Sequence, residues 1–337
     1  MVHNLKLMEA QERLRFYDSA ISFRSSVLFI GNTGRMARPP KKAEAIGFSS
    51  FHLADHYIGE GPSLTAANHP VQNLAAIPAM MVAAEATDSI RIGCRVLCCD
   101  YHQPVVLAKE VATIDWFSGG RLELGLGAGW IQSEYEAMGI PMLPPGRRID
   151  RMVETLDLIR QHYSGEQIDL EGAHMQISGF SGAPSTGTVP PIMIGGGSKR
   201  VLGIAGREAD IVSDNFNNSA GKIGPEGVGS GTVAGTKQKI EWIKDGAGDR
   251  FEDVEIEIAA YFTVVTDHVD AVSGEFSKLF GLSPEEIQNH PHCLIGPVGQ
   301  IIESIQQRRE ELGISYITFG GAVIDDVAPI VEALTGS

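Results

Sequence analysis

GGRLELGLGAGWIQSEYEAMGIP, residues 119–141, holds the clearest single pattern in the chain. Leu122, Leu124 and Leu126 fall on alternate positions between flanking glycines, the pattern of a buried strand. Gly127-Ala128-Gly129 follows at once, then Trp130, then a stretch of helical character over residues 132–138. A loop of small residues at the C-terminal end of a strand lets a flat ligand lie against bare backbone, because no Cβ blocks the approach. In parallel α/β folds that end of the sheet is where ligands bind. The same letters also suit a tight strand-to-helix turn with a buried tryptophan, and only the rest of the chain separates the two readings.

On both sides of this stretch, apolar runs of strand length alternate with helical patterns, the signature of a parallel sheet with crossover helices. Upstream, the strands are residues 23–30, 48–54 and 90–99, the second leading into Asp55-His56-Tyr57. Between them lie helices over 41–46, closed by Gly47, and over 74–86. Pro104 opens a further helix that runs to residue 117, since a first-turn proline loses no hydrogen bond. Downstream come a helix over 147–162, a polar/apolar hairpin over 167–177, and a fifth strand over 191–195 that runs into Gly195-Gly196-Gly197-Ser198. A helix over 199–206 and strands over 209–213, 255–266 and 315–319 complete the series, with a last helix over 325–334. Eight strands alternating with helices make a (β/α)8 TIM barrel, an α/β fold, with insertions after strands four and six. An open doubly wound sheet is the alternative, and no GxGxxG follows the first strand to support it. Residues 1–20 read as a helical extension and residues 21–337 as one barrel domain.

Bulk properties narrow the function. With 42 acidic against 27 basic residues the chain carries a formal charge of −15, which argues against nucleic acid or an anionic membrane as partner. Cys94, Cys98, Cys99 and Cys293 form no metal-binding spacing, so no metal is expected, and they read as reduced thiols of a cytoplasmic protein. No run is long and apolar enough for a membrane span. Residues 215–232 are rich in Gly, Asn and Ser and too punctuated to pack, which suggests a mobile lid.

Several groups could carry chemistry. The Gly195-Gly196-Gly197-Ser198 turn ahead of a helix offers backbone N–H groups and a positive helix end to a phosphate, with Lys199 and Arg200 close by. Asp55 and His56 end the second strand; they could be a positioned acid/base, or a loop cap beside a structural histidine. Cys98-Cys99-Asp100 ends the third strand without an electropositive setting, so packing against a ring is expected rather than thiol chemistry. Glu134, one helical turn beyond Trp130, could accept a hydrogen bond from a ligand or a loop amide. Arg147, Arg148 and Asp150 read as a solvated or salt-bridged face, and Tyr17, Trp116 and Trp242 as core.

Three stretches resemble the luciferase-like superfamily of flavin- and deazaflavin-dependent oxidoreductases: GFSSFHLADHY, SIRIGCRVLCCDYHQPVVLAKEVATIDWFSGGRLELGLGAGWIQSEYEAMGIP and PPIMIGGGSKRVLGIAGREADIV. CDYHQP and AGDRFEDVEIEI are similar to the branch of oxidoreductases that use coenzyme F420, an 8-hydroxy-5-deazaflavin. The resemblance implies a barrel with the cofactor ring at its C-terminal mouth. It places a bulge, often with a non-proline cis peptide, at Cys98-Cys99-Asp100 behind the ring. Gly127, Ala128, Gly129 and Trp130 would face the ring through backbone, Gly195 to Ser198 would hold the phosphate, and His56 would stand near the reacting face. Asp55 and Glu134 complete the expected cofactor site. Sugar-phosphate dehydrogenases of the superfamily carry a catalytic glutamate just after the strand-four glycines; Trp130 stands there in this chain, so their proton transfer is not carried over. The expectation is hydride exchange between coenzyme F420 and a small-molecule substrate. The alternatives are a monooxygenase using reduced FMN from a separate reductase, or a barrel that binds flavin without catalysis. Dimerisation, common in the superfamily, is expected as well.

Overall fold

Parallel strands alternate with helices from Arg24 to Leu334 and close on themselves in the computed structural model, which describes residues 23–29 and 38–335. The first staves are β1 (Arg24–Phe29), β2 (Ser50–Leu53), β3 (Arg91–Cys94) with its continuation β4 (Leu97–Cys98), and β5 (Leu122–Gly127). An antiparallel hairpin, β6 (Gln167–Glu171) and β7 (Gln176–Ser181), lies outside the barrel. The ring resumes with β8 (Ile192–Gly196), β9 (Ile211–Asp214) and β10 (Glu255–Ala260). After β11 (Phe262–Val265) and β12 (Cys293–Gly296), which pair only with each other, β13 (Ile314–Gly320) closes the ring against β1 and β10. Because β3 and β4 both pair with β5, they count as one stave, and the barrel has eight.

Thirteen α-helices connect these strands among the described residues. They are α1 (Arg38–Ile46), α2 (Pro62–Ala67), α3 (Ala76–Ala86), α4 (Pro104–Phe117), α5 (Gln132–Met138), α6 (Pro145–Ser164), α7 (Lys199–Glu208), α8 (Pro225–Gly229), α9 (Val233–Ala247), α10 (Val269–Phe280), α11 (Pro284–Asn289), α12 (Val298–Leu312) and α13 (Ala328–Leu334). Local chemistry sets several boundaries. Gly47 has φ 99° after α1, a conformation glycine enters at no steric cost. Pro104 opens α4, where the Gln103 side chain caps the Val105 amide. None of these helices is long and apolar enough to cross a membrane.

Four expectations change. The third strand is not continuous over 90–99: a cis peptide joins Arg95 to Val96, so the bulge precedes Cys98-Cys99-Asp100. The seventh strand ends at Ala260, because β11 leaves the barrel to pair with β12. That subdomain, with α10 and α11, is an insertion after strand seven, and its Phe280, Ile287, Cys293 and Ile295 share a second core with Phe216 and Val228 from the segment after β9. Residues 215–232 are not a packing-free loop, since they include α8 and bury Phe216 and Val228. Trp116 is 56% exposed rather than core, whereas Trp242 packs against the main core. The expected extension over 1–20, with Tyr17, lies outside the described residues.

The lumen is polar for a small barrel. Near its N-terminal end Glu123, buried, meets Arg24, His52 (2.9 Å) and the Tyr316 hydroxyl (2.8 Å). Burial pushes the Glu123 carboxyl up, but Arg24 and His52 outweigh it and hold the group well below the usual carboxylate range. Nearer the mouth, Arg95 crosses from β3 to Glu257 of β10, four staves away, and Lys239 of α9 pairs with Asp214 at 2.9 Å.

Candidate active site at the C-terminal mouth

Asp55 and His56 leave β2 at the mouth and do different work. Asp55 is 2% exposed, and its Oδ2 accepts from the Cys98 amide (2.9 Å) and from His102 Nε2 (2.7 Å). It therefore ties the end of β2 to β4 and the following turn, a positional role. His56 keeps 16% of its side chain exposed, and its Nδ1 lies 2.7 Å from Glu134 Oε2.

Glu134 sits in the first turn of α5 and is almost wholly buried. Its Oε1 accepts from the Tyr57 amide, and its Oε2 accepts from His56 and from the Tyr101 hydroxyl at 3.0 Å. Burial raises the Glu134 carboxyl, but these donors, His56 foremost, hold it below its ordinary value. An anionic Glu134 can only accept, so His56 Nδ1 carries the proton of that bond and Nε2 is the imidazole's remaining nitrogen. The loop amide anticipated for Glu134 is that of Tyr57.

A second imidazole stands beside the first. The His69 ring centroid lies 4.4 Å from that of His56, and Trp130 stands 6.2 Å from His56 and 6.0 Å from His69. His69 follows Asn68, whose left-handed φ of 51° ends α2. Its Nδ1 lies 2.8 Å from the Pro70 carbonyl, and burial, helped by His56, pushes its pKa down to about 4. His69 is thus a neutral imidazole with Nδ1 as donor. Trp130 packs with Ile58, Ala67 and Ile131, so it is a wall of the mouth as well as a turn residue.

The glycines serve the protein's own packing. A Cβ at Gly127 would lie 2.5 Å from Val96 Cγ2, and one at Gly195 would lie 3.2 Å from Val96 Cγ1. Val96, just past the cis bond, thereby sits among the ends of β5 and β8 as an apolar floor. A Cβ at Gly129 would strike the Tyr135 hydroxyl, one at Gly196 would strike Val201, and one at Gly197 the backbone of Asn215 and Phe216. Bare backbone at these positions is required by neighbouring side chains and strands, not only by a ligand.

Three further expectations are corrected or sharpened. Cys98 lies 3.5 Å from the Tyr135 hydroxyl, and burial pushes its thiol up to about 12; Cys99 is likewise buried and raised. Both are buried thiols held in their protonated form. Asp100 accepts from Tyr135 (2.9 Å) and faces Arg151 at 3.7 Å, so its carboxylate supports α5 and α6. Arg148 is buried, not on a solvated face: it donates to the carbonyls of Leu143 (2.9 Å), Ala128 (3.1 Å) and Gly129, pinning the loop after β5. At α7 the Ser198 side chain makes no capping bond, and Lys199 has no ion pair among the described residues. Arg200 is taken by Asp150 and the Gly146 carbonyl, and Arg207 by Glu208 at the far end of the helix.

His69, Tyr101, His102 and Val96 were not marked by the sequence, and Arg148 was marked only as part of a solvated or salt-bridged face. Their partners are set by the fold rather than by neighbouring sequence, and no local pattern signals such contacts; only the His-Pro step at residues 69–70, where the chain is forced out of helix, hints at a fixed side chain.

The description "luciferase-like monooxygenase" matches residues 30–221, more than half of the chain. This chain belongs to the luciferase-like monooxygenase family. Among its relatives, an uncharacterised protein of Mycobacterium tuberculosis is 31% identical over 160 residues, which is 43% of this chain and 55% of that protein. The chain thus matches about half the length of such relatives. The F420-dependent glucose-6-phosphate dehydrogenase of Amycolatopsis mediterranei is 27% identical over 250 residues, 73% of this chain and 70% of that enzyme. An FMNH2-dependent dimethylsulfone monooxygenase of Pseudomonas fluorescens is 25% identical over 187 residues, 56% of this chain and 47% of that enzyme. An F420-dependent secondary alcohol dehydrogenase shares the fold at TM-score 0.73 and 17% identity, over 93% of this chain and 99% of that one. The luciferase-like family therefore spans deazaflavin- and flavin-dependent relatives of this chain.

Proposed function

We propose that this luciferase-like protein is an oxidoreductase that binds coenzyme F420 at the barrel mouth and reduces a small unsaturated substrate there. The observation that carries the reading is the 2.7 Å bond from His56 to a buried, anionic Glu134 at the C-terminal end of β2. It orients a mouth-facing imidazole by fixing its Nδ1 proton on Glu134, which suits proton transfer at the other ring nitrogen.

The residues present fit the cofactor. The N-terminus of α7, where Ser198 makes no side-chain cap bond and Lys199 no ion pair among the described residues, suits a phosphate. Val96, set among Gly125, Gly127 and Gly195, gives a flat ring an apolar floor. When bound, the deazaflavin supplies the two-electron redox chemistry. His56 holds a proton for the substrate, Glu134 fixes the imidazole, and His69 and Trp130 exclude water from its flank. Trp130 in place of a carboxylate leaves no base there for alcohol oxidation, which supports reduction.

One observation favours the reduced-FMN reading. The polyanionic tail of coenzyme F420 calls for a basic groove, yet Arg200 and Arg207 are both committed to acidic partners. FMN needs only the phosphate site. Titration of the protein with coenzyme F420 and with FMN, oxidised and reduced, tests the two readings. Tight binding of the deazaflavin alone supports the first; preference for reduced FMN replaces it with an oxygenase fed by a separate reductase. The protein also carries an apolar outer face on α3 and α4 that supports a homodimer.

A further inference from the structure

A second cluster of polar groups lies across the mouth from His56. Arg95 is 7% exposed and stands just past the end of β3. Its Nε contacts both oxygens of Glu257 at 2.9 Å, and its Nη1 donates to the Tyr261 hydroxyl at 2.8 Å. Nη2 is buried and has no hydrogen-bond partner among the described residues. A buried cation with a donor left unmade is costly, so the arrangement asks for an explanation.

Tyr261, just beyond β10, passes the chain of bonds on to Asn215 Oδ1 at 3.1 Å. Asn215 Oδ1 also accepts from the Phe216 amide at 2.8 Å, which fixes the orientation of the side-chain amide. Asn215 Nδ2 is therefore a donor, and it too has no protein acceptor among the described residues. Its backbone amide bonds the Gly196 carbonyl, so it stands beside the glycine turn. Tyr261 is 40% exposed, lies 5.4 Å from Phe216 and stacks on His292 at 5.6 Å, forming an aromatic wall.

Two donors held through one phenol match a ligand that offers adjacent acceptor oxygens beside a flat group; the neighbouring carboxylate of Asp214 is neutralised by Lys239 at 2.9 Å. We propose that Arg95 Nη2 and Asn215 Nδ2 form a carboxylate subsite, and that the substrate is a flat, conjugated or aromatic carboxylic acid. The proposal names the substrate class of the reaction site proposed above and rests on the mouth being that site. A neutral amide of the same shape would present a donor to one of these donors and bind less well.

The test is calorimetric titration of the cofactor-free protein with benzoate and with benzamide. Wild type should bind benzoate at least tenfold more tightly than benzamide. Asn215→Asp keeps the acceptor used by Tyr261 and Phe216 but turns the free donor into an anion; it should weaken benzoate at least tenfold and leave benzamide unchanged. Removing Arg95 alone would strand Glu257, so the paired Arg95→Gln/Glu257→Gln variant, checked by circular dichroism, is the companion, with the same expectation. Equal binding of benzoate and benzamide, or benzoate binding untouched by Asn215→Asp, overturns the subsite. Variants that weaken coenzyme F420 or FMN while sparing benzoate overturn the substrate assignment and give these donors to the ring's carbonyl edge instead. Wild type that binds benzoate but neither cofactor sinks the proposed function and leaves the subsite standing.

Discussion

His56 and Glu134 divide one task between them, and single substitutions separate the shares. His56→Asn removes the proton and keeps the size of the site; kcat should fall by about 10²–10⁴, the usual worth of general acid catalysis, with cofactor affinity within a few-fold of wild type. Unchanged turnover under saturating cofactor removes His56 from the chemistry. Buried histidines also set how the fold responds to acid. Burial pushes His290 and His69 down to about 4 and His292 well below its ordinary value. A histidine whose folded pKa is depressed adds stability that is complete above about 6.5 and is lost as pH falls toward 4. Asp214, pushed up to about 6 by burial, works in the opposite direction and offsets part of the loss. His162 is lowered by burial as well, while Asp157 and Glu255 are raised like Asp214; lowered carboxylates such as Glu134 and Glu123 add to the loss, so urea midpoints should drop from pH 7 to pH 4. His290 bonds the Val228 carbonyl through Nε2, and His290→Gln keeps a donor there without the titration, so it should flatten the profile. A profile as steep as wild type shows that the loss arises elsewhere.

At the scale of elements, the bulge between β3 and β4 and the glycines around it form one unit. A Cβ at Gly127 would press on Val96, so Gly127→Ala should destabilise by about 1–3 kcal/mol, and Val96→Ala in the same chain should recover part of it. Additive losses in chemical denaturation would mean that Val96 does not fill that space. The two rim loops form a second unit. Asn68 Nδ2 donates to the Ile223 carbonyl (3.2 Å), the Ile223 amide to Ala67 (3.0 Å), and the Gln132 amide to Gly221 (3.4 Å). Asn68→Ala removes one clasp and puts alanine in a left-handed position, so proteolytic cleavage within residues 215–232 should quicken with little change in the thermal midpoint. These units show how far the sequence could be read. Alternating leucines in β5, Pro104 at the start of α4 and Gly47 after α1 are local signals, and the barrel follows from them. The cis step at Arg95–Val96 and the break at Tyr261 depend on which strand lies alongside, and period-two patterns run straight through both. Asp55 and His56 were legible as a pair at a strand end; that Asp55 faces His102 while His56 faces Glu134 and His69 follows only from closure of the barrel.

At the scale of the whole molecule, two adjacent outer helices lack the polar face that their neighbours have. α3 reads AIPAMMVAAEA and α4 reads PVVLAKEVATIDWF, whereas α12, on the same outer ring, reads VGQIIESIQQRREEL. Val82, Val106, Trp116 and Phe117 on α3 and α4 are 43%, 52%, 56% and 63% exposed. Single exposed apolar side chains are ordinary; several on two packed helices, with Glu85 and Lys109 as exposed charges among them, are the face a dimer is expected to use. The opposing force is charge, since each copy carries −15. A face held by apolar burial against general like-charge repulsion should tighten as salt screens the repulsion, whereas one held by ion pairs should loosen. Sedimentation equilibrium should therefore show a dimer whose dissociation constant falls between 50 mM and 500 mM sodium chloride. Trp116→Glu/Phe117→Glu should be monomeric at the same concentration with an unchanged circular dichroism spectrum, because neither side chain belongs to the core. A dimer that survives this pair uses another face, and a dimer that weakens with salt is held by charge.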